Sequence, residues 1–168
     1  MKHIIIPTDF TVASLQPVHT VVKHYQPEEI KISLLHLLES PSGFQDIFTK
    51  WANTDLKNNI SKEFTTACEI LQSKYSSTLL SVDIMIKHGS SSAYLQNLLE
   101  GYNADAIWIT ESLTFRRPCK QSVDLYRLLK KVRFPVNRVP AMLNLPPVGN
   151  SISELLVNDA LEVNYKMA

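Results

Sequence analysis

Glycine is scarce in this sequence: 168 residues contain only four glycines, and none lies between Gly101 and Gly149. Glycine allows backbone N–H groups to approach a phosphate closely, because it has no Cβ to stand in the way. A glycine-rich phosphate-binding loop is therefore excluded from residues 102–148.

Cysteine is scarce as well, and the sequence has neither a long apolar run nor a large excess of one charge. With only Cys68 and Cys119, a disulfide framework is not indicated, and we expect a reduced, cytoplasmic protein. No apolar run approaches the roughly 18–20 residues that cross a bilayer. The run Ile4–Ile6 stops at Pro7, so neither a secretion signal nor a membrane partner is expected. A net charge of +1 argues against a general nucleic-acid binder.

Short apolar segments alternate with longer segments of helical periodicity, and 45% apolar residues suffice for one core. We predict strands at residues 3–6, 31–38, 80–87, 106–109 and, bracketed by prolines at a sheet edge, 134–140. Helices are predicted at residues 14–25, 53–75 and 121–132, with another after Gly89. Ser14 is preferred to Asp9 or Thr11 as the first cap, because Pro17 then falls in the first turn. This order indicates βαβ units in an α/β domain with parallel strands.

The last 28 residues, 141–168, are predicted to be a C-terminal extension of a domain formed by residues 1–140. Pro146-Pro147 is typical of a linker, and Ser151 with Glu154 offers a capping box. The helix it opens carries an apolar stripe formed by Ile152, Leu155, Leu156, Ala160 and Val163. Such a stripe has to be buried, on its own domain or on a second copy.

Five segments, in order, carry a family resemblance: residues 7–11 (PTDFT), 34–38 (LLHLL), 88–89 (HG), 103–109 (NADAIWI) and 131–136 (KVRFPV). Together they make residues 1–140 resemble the universal stress protein (UspA-like) family. The resemblance implies a doubly wound, five-stranded parallel sheet with helices on both faces, of the adenine nucleotide alpha hydrolase-like kind. It also implies a ligand crevice at the carboxyl ends of the central strands.

The sequence departs from that family in the loop after the fourth strand. ATP-binding members carry G-x-x-G there, followed after about nine residues by G-[ST]. Here Glu111 stands where the first glycine is expected, and Ser122 alone matches the terminal serine. A carboxylate at that place repels a triphosphate. We therefore expect no cofactor, with ATP disfavoured, and no ATP binding in the family manner.

Candidate ligand-binding residues follow the predicted strands or lie in this loop. They are Asp9, Leu38, His88, Thr110, Glu111, Arg116, Arg117 and Ser122. Asp9 has two interpretations, as a ligand contact or as a cap of the first helix. A metal is not predicted, because no pair has a diagnostic ligand spacing.

Arg116 and Arg117, with Lys120, have the chemistry to bind an anion, although solvated surface charge explains them as well. Cys119 lies among these cations and is a candidate redox site, while its alternative is an incidental thiol.

The leading hypothesis is a non-enzymatic, universal-stress-protein-like regulatory module that acts through a protein partner or a weakly held ligand. It is predicted to be a homodimer with residues 150–163 at or near the interface. The alternative is a protein that binds or hydrolyses nucleotide through Arg116 and Arg117. A redox-responsive protein that uses Cys119 is a third possibility.

Overall fold

The computed structural model describes residues 1–40, 56, 60–111, 114–139 and 151–156. The strands are β1 Lys2–Pro7, β2 Ile30–Leu38, β3 Leu79–His88, β4 Ala106–Thr110 and β5 Val136–Val139. The helices are α1 Pro17–Tyr25, α2 Lys62–Lys74, α3 Ser92–Gly101 and α4 Leu125–Leu129. Residues 152–156 are helical as well.

The five strands form one parallel sheet in the order β3-β2-β1-β4-β5. β1 is central, with Ile5 opposite Ser33 of β2 and opposite Ile107 of β4. The predicted α/β sheet is thus confirmed, including β5 as a strand of only four residues at the edge.

Helices cover both faces of the sheet, and this explains why β1 is apolar without alternation. Neighbouring strand residues point to opposite faces. Ile4 and Ile6 belong to a core that contains residues of α1 and α2, whereas Ile5 and Ile107 belong to a second core with residues of α3 and α4.

The first helix begins later than Ser14. Residues Val12–Leu15 form a 3-10 turn, α1 follows it, and Pro17 occupies the first turn as predicted. Ser14 does not cap α1, because its hydroxyl is buried against Thr8 Oγ1 at 2.8 Å and also donates to the Thr11 carbonyl.

The helix predicted at residues 53–75 is not continuous: Leu56 is helical, but Ser61 is not. α2 begins at Lys62, and Ser61 caps it, accepting from the Phe64 N–H at 3.2 Å. Ser61 has extended backbone angles (φ −63°, ψ 146°), so no helix continues through it. The predicted positions 53–55 and 57–59 lie outside the described residues.

The described part of the C-terminal extension, residues 151–156, packs on its own domain. Ser151 Oγ accepts from the Glu154 N–H at 3.3 Å, as the predicted cap requires. Leu155 is only 1% exposed and, with Ile152, joins the core beside α1. Residues 140–150 and 157–168 lie outside the described part, so the boundary predicted at residue 140 and the rest of the stripe stay predictions.

Candidate functional site

The candidate site lies where the carboxyl ends of β1 and β4 meet. β1 pairs with β2 on one side and with β4 on the other, so the chain crosses over between two halves of the sheet here. In doubly wound sheets, ligands bind in the crevice at this switch point. Asp9 follows β1, and Glu111 follows Thr110 at the end of β4.

Asp9 is only 3% exposed, and both of its carboxylate oxygens accept hydrogen bonds. Oδ1 accepts from the Thr11 backbone N–H at 3.1 Å and from Thr11 Oγ1 at 2.6 Å. Oδ2 accepts from the backbone N–H of Arg116, 107 residues away, at 2.9 Å. The interpretation of Asp9 as a helix cap is wrong, because α1 begins only at Pro17. Asp9 instead ties the segment after β4 to the turn after β1.

Aromatic rings pack close to the Asp9–Arg116 hydrogen bond, around the imidazole of His36. Phe115 stacks on His36, with ring centroids 6.0 Å apart and an interplanar angle of 14°. The Phe10 ring lies 4.8 Å from the same imidazole. Phe10 has a positive φ of 61°, and its N–H donates to Thr8 Oγ1 at 3.0 Å. A left-handed backbone costs of order 1–3 kcal/mol at a bulky residue, so the packing and this bond have to offset that strain.

His36 is fully buried, and its tautomer follows from its partners. Nδ1 lies 2.7 Å from the Thr8 carbonyl, which can only accept, so Nδ1 carries the hydrogen. Nε2 then accepts from the Ser122 hydroxyl at 3.0 Å. Burial lowers the pKa of His36, against the opposing effects of the Thr8 carbonyl and the Asp9 charge. The imidazole is therefore held neutral and linked to two chain segments.

Residues 121–123 are not helical as predicted, and they pair with the end of β2 instead. The Glu39 N–H donates to the Gln121 carbonyl at 2.8 Å, and the Val123 N–H donates to the Leu37 carbonyl at 2.9 Å. Leu38 and Ser122 thus form an antiparallel bridge. The helix predicted at residues 121–132 is therefore shorter and consists of α4 alone. Asp124 caps α4 by accepting from the Tyr126 N–H at 3.0 Å.

Cys119 is half-buried and contacts the same serine. Its N–H donates to Ser122 Oγ at 3.2 Å, and its Sγ lies 3.3 Å from that oxygen. Burial raises the pKa of the other thiol, Cys68, to about 12, so Cys68 stays protonated at neutral pH. The redox role of Cys119 stays a prediction.

The remaining candidates at the strand ends do not converge. Thr110 is 1% exposed, and its hydroxyl has no hydrogen-bond partner among the described residues. Glu111 is exposed, and its N–H donates to the Val139 carbonyl at 3.1 Å. His88 is at the far edge, where Nδ1 lies 3.3 Å from the Glu39 carbonyl. Within the described ranges, no group of three His, Cys, Asp or Glu side chains could hold a metal ion.

The cations of the loop are exposed and differ in position. Arg117 lines a cavity of about 510 Å³ together with Ser122 and Glu39. Arg116 and Lys120 are outside that lining. Arg116 bonds to Asp9 through its backbone N–H, and the Arg116 side chain takes no part in that hydrogen bond.

Sequence reasoning missed His36, Phe115 and Thr8 as members of this arrangement. The available signal was the imidazole of His36 in the otherwise apolar segment LLHLL of β2. A buried polar side chain needs partners. Those partners, at positions 8 and 122, are remote in sequence and are brought near only by the sheet.

No helix in the described part of the chain is long and apolar enough to cross a membrane. No protein-family model and no curated protein matches the sequence.

Solved structures match it across most of its length. The universal stress protein UspA from Lactobacillus plantarum is 12% identical, covering 84% of this chain and 97% of its own, with a TM-score of 0.51. A universal stress protein family protein from Arabidopsis thaliana, solved with AMP bound, is 11% identical over 91% of this chain and 99% of its own, also at 0.51. The hypothetical protein MJ0577 is 18% identical over 84% of this chain and 96% of its own, at 0.53.

These likenesses agree with the sheet order and with helices on both faces. The resemblance expected from residues 1–140 is thereby confirmed at the level of structure: the neighbours of this chain are universal stress proteins, and the chain has their fold.

Proposed function

We propose that the protein is a universal-stress-protein-like, stress-related module of the cytoplasm, non-catalytic and regulatory, that does not bind ATP in the family manner. One observation carries this proposal: the buried Asp9 carboxylate accepts from the Arg116 N–H at 2.9 Å. The Arg116 N–H thus occupies the Asp9 carboxylate oxygen to which a ligand in the crevice would donate a hydrogen bond.

The cost of opening the crevice supports the same conclusion. A nucleotide that needed Asp9 would have to displace the Arg116 N–H and leave it without an acceptor. A buried donor left unsatisfied costs about 1–3 kcal/mol. Phe115 would also have to leave His36. The sequence provides no compensation in the form of glycine amides after β4.

The absence of enzymatic activity is supported by the burial of the one nucleophile–base pair described above. Ser122 Oγ and His36 Nε2 are 3.0 Å apart, a distance suited to proton transfer. Ser122 borders the cavity that Arg117 lines, but it is only 1% exposed, so its hydroxyl offers a substrate almost no accessible surface. Its partners instead make it a structural link between residues 119–123 and β2.

A second candidate function is nucleotide binding through a modified loop. The Arabidopsis protein with the same fold was solved with AMP bound. Arg116 and Arg117 are exposed next to the segment that Asp9 holds, so both side chains are free to meet a phosphate. Arginine suits this chemistry, because its planar fork matches two phosphate oxygens.

Titration calorimetry with ATP, ADP and AMP at physiological magnesium concentration separates the two functions. We expect no dissociation constant tighter than high micromolar, and no nucleotide in the purified protein. A micromolar constant or copurified nucleotide would contradict the proposal. Weak binding that is lost in Arg116→Ala would support the alternative, because the Arg116 backbone bond to Asp9 survives that substitution.

A further inference from the structure

The outer edge of β3 is a long strand edge that the described residues leave open. We propose that it pairs antiparallel with β3 of a second copy of this chain, so that the two sheets join into one. β3 pairs with β2 alone and spans ten residues, whereas the other edge strand, β5, spans four. Between Ser81 and His88 it contains neither proline nor glycine. A long, regular edge strand is a template for pairing with another chain.

Backbone groups along this edge lack hydrogen-bond partners. The Gly89 N–H donates to the Leu38 carbonyl of β2 at 2.8 Å, and the backbone groups of successive strand residues point to opposite sides. The residues whose backbone groups point away from β2 are therefore Val82, Ile84, Ile86 and His88. None of their N–H or carbonyl groups has a partner among the described residues. The Leu80 carbonyl, at the start of the strand, does have one, because Gln72 Nε2 donates to it at 3.1 Å.

Side chains of β3 are only partly covered. No residue from Ser81 to His88 is buried, whereas eight of the nine residues of β2 are. Val82, Ile84 and Ile86 lie at the margin of the core that contains α2, and Met85 lies at the margin of the second core. A second copy of the strand would cover part of this apolar surface, which favours association.

One register of this pairing sets opposite charges against each other. In an antiparallel pair, residues whose backbone groups point at the partner face one another, and so do the residues between them. With a two-fold axis at Met85, Ile84 lies opposite the partner subunit's Ile86, and Asp83 lies opposite the partner subunit's Lys87. The reverse pairs form as well, because a two-fold contact is the same on both chains. An axis at Asp83 or at Lys87 would set like charges opposite one another, which disfavours those registers.

Asp83 and Lys87 have no ion pair with any other described residue. The Asp83 carboxylate accepts from Ser81 Oγ at 2.8 Å, and Lys87 Nζ lies 5.2 Å from the centroid of the Tyr102 ring. The ion pairs found in the described ranges join other residues. Both charges are therefore available to a partner, and opposite charges directly across two strands stabilise the pair.

This edge is distinct from the crevice and from the C-terminal extension. The crevice lies between β1 and β4, and β2 separates β3 from β1. Leu155 of the extension packs in the core beside α1. The inference therefore goes beyond the proposed function and does not rest on the lack of ATP binding. Residues 150–163 can add to a dimer that β3 forms, so a chain that ends at Pro147 should still associate, although more weakly.

Sedimentation equilibrium of the full chain measures the dissociation constant of the dimer. Asp83→Lys and Lys87→Asp should each weaken the dimer about 10-fold, because either change sets like charges opposite each other at two places. The double reversal Asp83→Lys/Lys87→Asp should return the constant to within about 3-fold of the wild-type value, because opposite charges face each other again. Arg138→Asp is the matched control, since it makes the same change of charge as Lys87→Asp on the other edge strand.

A cysteine at the two-fold axis tests the register directly. Met85→Cys should form a disulfide between two chains under mild oxidation, because facing residues that are not hydrogen-bonded have Cα atoms roughly 4.5 Å apart. Ser81→Cys is the control, because Ser81 lies far from the axis in this register and should not cross-link. The wild-type chain, with Cys68 and Cys119, gives the background.

A full chain that is monomeric at micromolar concentration would overturn the inference. So would single reversals that weaken the dimer no more than Arg138→Asp does, or a double reversal that stays as weak as the single ones. A Met85→Cys chain that cross-links no more than the wild type would also overturn it. Restored association in the double reversal supports it, because a second substitution would not repair a merely structural defect in β3.

Discussion

At the scale of single residues, two buried hydroxyl groups have opposite surroundings. Ser122 Oγ has contacts with His36, the Cys119 N–H and Cys119 Sγ, whereas Thr110 Oγ1 has no hydrogen-bond partner among the described residues. Both residues are 1% exposed, so neither hydroxyl is open to bulk solvent. They form a matched pair for measuring what a buried hydrogen bond contributes to this fold.

Replacing Ser122 by Ala should lower the free energy of unfolding by about 1–3 kcal/mol, because the Cys119 N–H loses its acceptor and His36 loses its donor. Thr110→Val should cost nothing or add up to roughly 1 kcal/mol, because it removes an unsatisfied hydroxyl and keeps the shape. Urea denaturation measures both. A loss for Thr110→Val equal to that for Ser122→Ala would mean that the Thr110 hydroxyl has a partner.

His36 makes the stability of the fold sensitive to mild acid. Its pKa, and that of His3, is lowered in the folded protein mainly by burial, so the unfolded chain binds protons first as pH falls. The free energy of unfolding should be highest above about pH 7 and fall as pH drops through 6.5 toward the folded pKa values, by up to ~1.4 kcal/mol per pH unit for each histidine.

His36→Gln should reduce that slope between pH 7 and 5, because one of the two titrating imidazoles is gone. Denaturation series at several pH values measure it. An unchanged slope in His36→Gln would contradict the assignment to His36 and leave His3 as the source.

At the scale of elements, local pattern predicted strands better than helix ends. Strand β2, predicted at 31–38, spans Ile30–Leu38, and β4, predicted at 106–109, spans Ala106–Thr110. Uninterrupted apolar runs identify strands that are covered on both faces. Helix ends depend on caps and on pairing with distant segments, as at Ser61 and at residues 121–123, and periodicity carries no information on either.

The central position of β1 predicts a large cost for truncating its side chains. Ile5→Ala should lower the free energy of unfolding by about 2–5 kcal/mol, because Ile5 is 2% exposed and the space it leaves cannot collapse. Leu80→Ala on the edge strand β3 is the control: Leu80 is 44% exposed, and its loss should stay within about 0.5 kcal/mol. A cost for Ile5→Ala below about 1 kcal/mol would contradict the burial of β1.

At the scale of the whole molecule, the sheet ends in β3 and β5. β5 is short and carries the exposed Arg138, so it extends poorly into a second sheet. The C-terminal extension is the other candidate for assembly. In its described part, Leu155 is buried in the core of its own domain. His19 Nε2 also lies 3.1 Å from the Leu155 carbonyl oxygen. Leu156 of the stripe is half-buried, and Ala160 and Val163 lie outside the described residues.

The homodimer through residues 150–163 stays a prediction, and light scattering tests it. We expect a dimer for the full chain and weaker association for a chain that ends at Pro147. Because truncation also removes Leu155 from the core, both chains have to be compared under conditions where each is folded. Equal dimerisation of the two chains would exclude the extension as the contact, and a monomeric full chain at micromolar concentration would exclude the dimer.

The sequence by itself determined the βαβ order, the buried strands and the lack of a glycine loop, because these follow from local composition and from periods of a few residues. Only the tertiary structure decided that Asp9 binds the backbone of residue 116 and that residues 121–123 leave the helix to pair with β2. These contacts join segments up to 107 residues apart. They form because the order of the parallel strands in the sheet brings those segments together, and local sequence patterns do not predict that order.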